Sequence, residues 1–166
     1  IISAWEAFGK PDKFNIIELG PGDGSLTKVL LKVFERFPDF NLAKKIYLYE
    51  ISSFLKELQR KNIQNDKVKW IKNFNNINKG PAIFFGNEFF DAIPIKQFKK
   101  DKGLLMEKHY KLDKNNIIKE IFKTASKKDI ASINSYKSLK NLKFIEYPKF
   151  GLKELKKILK KILQVK

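Results

Sequence analysis

The segment that most limits what this chain can become is residues 14–24. An apolar, β-branched run, FNIIEL, passes Glu18 and turns at once into Gly20-Pro21-Gly22-Asp23-Gly24. A short apolar run of this kind reads as a buried strand. Beyond the glycines, Leu26, Val29, Leu30, Val33, Phe34 and Phe37 recur at helical spacing, one face of a helix that Pro38 is expected to stop. Glycines let the turn take positive φ and let a ligand touch bare backbone. The helix beginning near Ser25 would present free N–H groups and the positive end of its dipole.

The same alternation continues downstream. Lys45–Tyr49 reads as a second strand ending at Glu50, and Ser52 or Ser53 can cap a helix to about Lys61 with Phe54, Leu55 and Leu58 inward. Val68–Ile71 and Ala82–Phe85 read as further strands, the latter after the turn Lys79-Gly80-Pro81. Residues 1–9 read as a helix closing at Gly9. Strand and helix in alternation predict an α/β fold with a doubly wound parallel sheet and right-handed crossovers. After Pro94 the pattern changes. Residues 97–122 suggest β-rich pieces with polar turns at 100–103 and 113–116, read as an antiparallel hairpin insertion after strand four. Residues 125–141 are polar and poorly patterned. Leu152, Leu155, Ile158, Leu159, Ile162 and Leu163 then outline a last amphipathic helix, carrying Lys153, Lys156, Lys157, Lys160 and Lys161.

In open α/β sheets ligands bind at the carboxyl ends of the strands, where the glycine turn would lie. A nucleotide in a phosphate loop requires Gly-Lys-Ser or Gly-Lys-Thr, which is absent. A dinucleotide requires its third glycine at position 25, which is Ser25. The actual spacing is Glu-x-Gly-x-Gly-x-Gly, with Pro21 inside it, and it resembles motif I of class I S-adenosylmethionine-dependent methyltransferases. Glu50 ends the next strand and can accept both hydroxyls of a ribose. It follows Gly20 by more than the roughly 20 residues of the dinucleotide fingerprint. The plain alternative is a tight turn and a surface acid.

A second constellation, Asn87-Glu88-Phe89-Phe90-Asp91-Ala92-Ile93-Pro94, follows strand four. Asn87 offers donors and an acceptor, Glu88 and Asp91 offer carboxylates, and the phenylalanines can wall a pocket. Methyl transfer is an in-line displacement that mainly needs alignment. Carboxylates are the natural clamp for a guanidinium nucleophile because they pair with it bidentately. The plain alternative is a helix cap with incidental acids.

Charge points less clearly. Of 35 basic residues against 18 acidic ones, a net +17, only Arg36 and Arg60 are arginine. Readers of phosphate and base edges lean on arginine forks. The scattered lysines read as a solvated surface, so no specific nucleic-acid partner is expected. The absence of cysteine excludes disulfides and a thiol nucleophile, and His109 is the single histidine, so no metal site is expected. No apolar run approaches the roughly 20 residues of a membrane span.

Taken together, ELGPGDGSL, KIYLYEIS with Leu55 and Gln59 downstream, Trp70, and NEFFDAIPIKQF resemble the MidA-like family. That family includes the mitochondrial complex I assembly-factor arginine methyltransferases and bacterial relatives. Trp5 and the Gly9-x-Pro11 lead-in fit it too. Met106-Glu107-Lys108 stands where the family has Trp-x-Glu-Arg. The resemblance implies a class I methyltransferase (Rossmann-like) fold with S-adenosyl-L-methionine as cofactor. It implies protein-arginine methylation linked to complex I assembly, on an arginine-bearing subunit. The location it implies is the cytoplasm for a bacterial chain and the mitochondrial matrix for a eukaryotic one. By position, Glu18, Gly20, Pro21, Gly22, Gly24 and Glu50 would bind the donor, with Asn87, Glu88 and Asp91 at the transfer site. Family members are longer at both ends, so the chain is expected to be a fragment with an incomplete, open-edged sheet. Residues 1–94 would be its donor-binding half, 95–150 the insertion and 151–166 the helix. The rivals are methylation of a small molecule or RNA, and a catalytically inactive assembly or binding domain.

Overall fold

The computed structural model describes residues 1–139 and 141–163. Residues 164–166 of the expected last helix, and residue 140 of the unpatterned stretch, lie outside the described residues. Two compact units are present: Ile1–Ala92 with Leu155–Lys166, and Ile93–Glu154.

The first unit is the parallel sheet that the alternation predicts. Its strands β1 (Phe14–Leu19), β2 (Lys44–Tyr49), β3 (Val68–Ile71) and β4 (Ala82–Phe85) lie in the order β3-β2-β1-β4. β1 is buried at every residue, as a central parallel strand covered on both faces must be. Phe14 and Ile16 join Ile46 and Leu48 in a cluster with Leu31, Phe34, Phe40 and Ile63. The alternate residues Ile17 and Leu19 join Tyr47, Tyr49, Phe74 and Ile158 on the other face. Asn15 secures the approach to β4 by donating to the carbonyls of Asn78, Gly80 and Pro81. Trp5, in helix α1 (Ile2–Ala7), donates to the Pro11 carbonyl at 2.9 Å and packs edge-on against Phe40.

Three expectations need correction. Helix α2 (Ser25–Phe34) stops short of Pro38, and Pro38, expected to end that helix, opens another one, α3 (Pro38–Ala43). Proline suits a first helical position because its missing N–H would have no partner there. Second, α2 buries Thr27, Leu31 and Phe34, while Leu26, Val29, Val33 and Phe37 stay exposed. The apolar arc is wider than the sheet can cover, and two contacts set the rotation: Thr27 donates to Glu18, and Phe34 packs edge-on against Phe40 with ring centres 4.9 Å apart. Third, α4 (Ser53–Ile63), capped by Ser52 accepting from the Leu55 N–H, buries Lys56, Gln59 and Ile63. Leu55 and Leu58 are half-buried, and Phe54, expected inward, is 74 % exposed.

The second unit holds an antiparallel sheet in the order β7-β6-β5-β8, built from β5 (Lys96–Asp101), β6 (Leu104–Leu112), β7 (Ile118–Thr124) and β8 (Phe144–Tyr147). The expected hairpin is present, and β8 pairs with the free edge of β5, Phe98 opposite Ile145. The stretch read as unpatterned contains α5 (Lys127–Asn134), whose cap Ser126 accepts from the Asp129 N–H. Helix α6 (Lys149–Leu163) is the last described element, its residues from Leu155 on belonging to the first unit. Phe98, Ala125, Ile133, Ile145 and Tyr147 form the core. Asp129, 1 % exposed, pairs with Lys149 at 2.6 Å and Lys96 at 2.9 Å, and Lys96 also reaches Glu107 at 2.8 Å.

Burial alone would raise the Asp129 carboxyl, but its bonds with Lys149, Lys96 and Ser126 outweigh that and hold it at about 2. A depressed carboxyl adds stability that is complete above its ordinary value of 3.8 and vanishes as pH falls through the folded value. Asp129→Asn should therefore cost about 2 kcal/mol at neutral pH and flatten the acid limb between the two values, read by denaturation across pH. An unchanged acid limb would remove this cluster from the account.

Candidate functional site

The strand order places the reversal of direction between β1 and β4, the position where open α/β sheets leave a crevice beyond the carboxyl ends of their strands. The glycine turn fills that position. Its ladder does not end with β1: the Gly20 N–H still donates to the Tyr49 carbonyl at 3.1 Å, and the Glu50 N–H to the Ile71 carbonyl at 3.2 Å. Glu50 is thus delivered beside the turn. Glu18 pairs in register with Leu48, and Glu50 lies two residues beyond Leu48, so the pleat turns both acids to the same face. On the other flank Glu18 pairs with Phe85, which brings Asn87 alongside Gly20.

Glu18 is 4 % exposed and accepts a hydrogen bond from the Thr27 hydroxyl. Burial raises its carboxyl above the ordinary value, and the Thr27 bond opposes this in part. Glu50, 6 % exposed, accepts from the Ser52 N–H at 2.8 Å and from Gln59 Nε2 at 3.3 Å. Burial, and then neighbouring Lys72, lower the Lys56 ammonium, while Glu50 opposes both.

The turn is held from α4. Gln59 Nε2 donates to the Gly22 carbonyl at 2.7 Å and Asn62 Nδ2 to the Asp23 carbonyl at 2.9 Å. The Gly24 N–H closes back onto Pro21 at 2.8 Å, and Asp23 accepts from both the N–H and the hydroxyl of Ser25, which lowers its carboxyl. Gly24 has φ +86°, a left-handed backbone that favours glycine, and a side chain there would also press on Ile63 Cδ1 at 2.9 Å on α4. Gly22, at φ +57°, faces nothing within 4 Å. Its glycine serves the backbone conformation and leaves the ground above it clear.

The loop after β4 places its named residues differently. Asn87, Glu88 and Asp91 are exposed, and Glu88 has a left-handed backbone at φ +51°. Phe89 is half-buried over the turn: a Cβ on Gly20 would lie 2.9 Å from its ring, and it meets Tyr49 and Phe90 edge-on. The structure therefore gathers Glu18, Gly20, Pro21, Gly22, Gly24 and Glu50 around one turn, with Asn87 at its edge. Thr27, Asn62 and the bonding role of Gln59 escaped the sequence reading. The signal available was a buried acid with no local donor, which requires a polar residue on a neighbouring helix. Among the described residues no group of three or more His, Asp or Glu is placed to hold a metal ion, and no helix is long and apolar enough to cross a membrane.

The family model described as "Putative S-adenosyl-L-methionine-dependent methyltransferase" matches residues 1–164. The mouse mitochondrial protein arginine methyltransferase NDUFAF7 is 29 % identical over 123 residues, 60 % of this chain and 28 % of its own length. The zebrafish protein of that name is 28 % identical over 154 residues, 79 % of this chain and 36 % of its own. A crystal structure of a likely methyl transferase from Burkholderia thailandensis bound to S-adenosyl-homocysteine superposes with a TM-score of 0.71 at 17 % identity, over 95 % of this chain and 41 % of that one. The likeness establishes the Rossmann-like methyltransferase fold. The chain spans little more than a quarter of the mouse relative's length.

A carboxyl raised by burial favours folding most below its unfolded value and loses that contribution as pH rises through the folded one. Glu18→Gln should consequently keep or raise the melting temperature at neutral pH and flatten its decline above the ordinary value of 4.5. A melting temperature that drops at neutral pH would show that the ionised acid stabilises the fold.

Proposed function

The chain belongs to this S-adenosyl-L-methionine-dependent methyltransferase family, and from that premise we propose that its glycine turn holds S-adenosyl-L-methionine for methyl transfer to a protein arginine. The observation that carries the reading is the delivery of Glu18 and Glu50 to one face, on either side of a turn whose glycine backbone is open at Gly22. That open ground is where a ligand can approach peptide groups directly, and the groups around it, two accepting carboxylates and a donating helix N-terminus, match a zwitterionic nucleoside. When bound, the sulfonium supplies an activated methyl group that leaves a neutral thioether behind.

The rest falls to the chain's own residues. Gly20, Pro21, Gly22 and Gly24 shape the cradle, and the start of α2, where Asp23 already takes the Ser25 N–H, offers its next N–H groups and a positive dipole end to a carboxylate. Glu18 balances an ammonium group. Glu50 accepts from the two ribose hydroxyls. Asn87, Glu88 and Asp91 hold the incoming guanidinium, whose planar fork suits paired carboxylates, and Phe89 screens the turn from water. The names of the relatives support an arginine in a protein, and a mitochondrial location if the chain is eukaryotic; the bacterial counterpart would be cytoplasmic. An arginine-bearing respiratory-complex subunit is the substrate that the resemblance favours.

A second reading, a domain that binds donor or partner without transferring a methyl, draws on the exposed apolar stripe Leu26-Val29-Val33-Phe37. Calorimetry with S-adenosyl-homocysteine and transfer of labelled methyl to an arginine peptide, with RNA as the competing acceptor, separate the readings. Label on the peptide is expected. Binding without transfer would favour the second reading, and label on RNA would move the substrate class. Glu50→Ala should weaken binding by about 1–3 kcal/mol. Gly22→Ala should abolish it while costing the fold only about 1–2 kcal/mol for a left-handed backbone.

A further inference from the structure

Gln59 is wholly buried, and every polar atom it carries is engaged. Nε2 donates to the Gly22 carbonyl at 2.7 Å and to Glu50 Oε2 at 3.3 Å, and Oε1 accepts from Trp70 Nε1 at 2.9 Å. Only one orientation of the carboxamide satisfies all three partners. Turned over, its oxygen would face two acceptors and its NH2 would face the indole N–H. Trp70 acts as the key that keeps it upright, itself braced in β3 and covered by the Arg60 guanidinium 5.1 Å from its ring centre.

The consequence reaches both halves of the cradle. With the Gly22 carbonyl drawn towards Gln59, the trans peptide must aim the Asp23 N–H the opposite way, off α4. Glu50 accepts the Ser52 N–H on Oε1 and Gln59 on Oε2, so its carboxylate plane is set from two sides. Each oxygen keeps a lone pair for a further donor. Two adjacent hydroxyls on a five-membered ring are the donors such a plane can take in parallel.

We propose that Gln59 is a positioning residue that orients the Glu50 carboxylate for the vicinal diol of a ribose, with Trp70 fixing its orientation in turn. The proposal rests on the donor-site reading above and adds to it the residue that sets the acid's geometry. Its signature is a dependence on the hydroxyls themselves. A purely structural residue would weaken every ligand of the turn alike.

The test compares S-adenosyl-homocysteine with its 2′,3′-dideoxyribose analogue by calorimetry on the chain as it stands, on Gln59→Leu and on Trp70→Phe. Gln59→Leu should weaken the natural ribose about tenfold more than the dideoxy analogue, the order expected for one hydrogen bond to a charged group, while any loss common to both ligands reports the bond to Gly22. Gln59→Asn, which keeps the carboxamide, should recover part of the difference. Trp70→Phe removes only the key and keeps a ring in place. It should show a hydroxyl-dependent loss of about threefold, and it decides the matter if Gln59→Leu fails to fold. Equal losses for the two ligands, or full affinity for the natural one, would overturn the proposal. Absence of binding to the unaltered chain would instead remove the donor-site reading and this inference with it.

Discussion

Two carboxylates end up buried at the carboxyl ends of adjacent strands, and neither has a donor within its own strand. A buried charged or polar group without a hydrogen bond costs a few kcal/mol, comparable to what one large apolar side chain contributes by burial. The helices on that face are therefore turned to supply donors. α2 brings Thr27 to Glu18, and α4 brings Gln59 to Glu50 and Gly22. Once those bonds are made, the apolar residues nearest them go inward and the rest of the apolar arc is left outside. Gln59 is buried on α4 while Phe54 is exposed for the same reason.

β1, β2 and β4 were legible because each is a short apolar run followed at once by glycine or an acid, whereas β3 is flanked by lysines. Their buried faces alternate as the pleat requires. β1 and β2 carry large side chains on both faces, and only a parallel sheet covered twice can take them. The helices were legible as elements but not in rotation. Hydrophobic periodicity identifies a stripe only when the stripe is narrower than the surface that receives it, and in α2 it is wider. Pro38 misled in a different way: the same ring that ends one helix is compatible with the first turn of the next.

The second unit shows the limit from the polar side. α5 carries few apolar residues, so periodicity missed it. Its start was nevertheless written as Ser126 followed three residues later by Asp129, a capping arrangement. What could not be foreseen is that Asp129 also gathers Lys96 and Lys149 from distant parts of the segment. Any of the many lysines would have served on paper.

The sequence by itself determined the strand order's local ingredients, the glycine turn and the two acids that flank it, because strand periodicity and positive φ are properties of a few neighbouring residues. Only the tertiary structure decided which face each helix turns to the sheet, and with it which side chains hold the acids. Those choices depend on hydrogen bonds between residues far apart in the chain, Gln59 to Gly22 among them, and such a bond exists only after the sheet has brought its ends together.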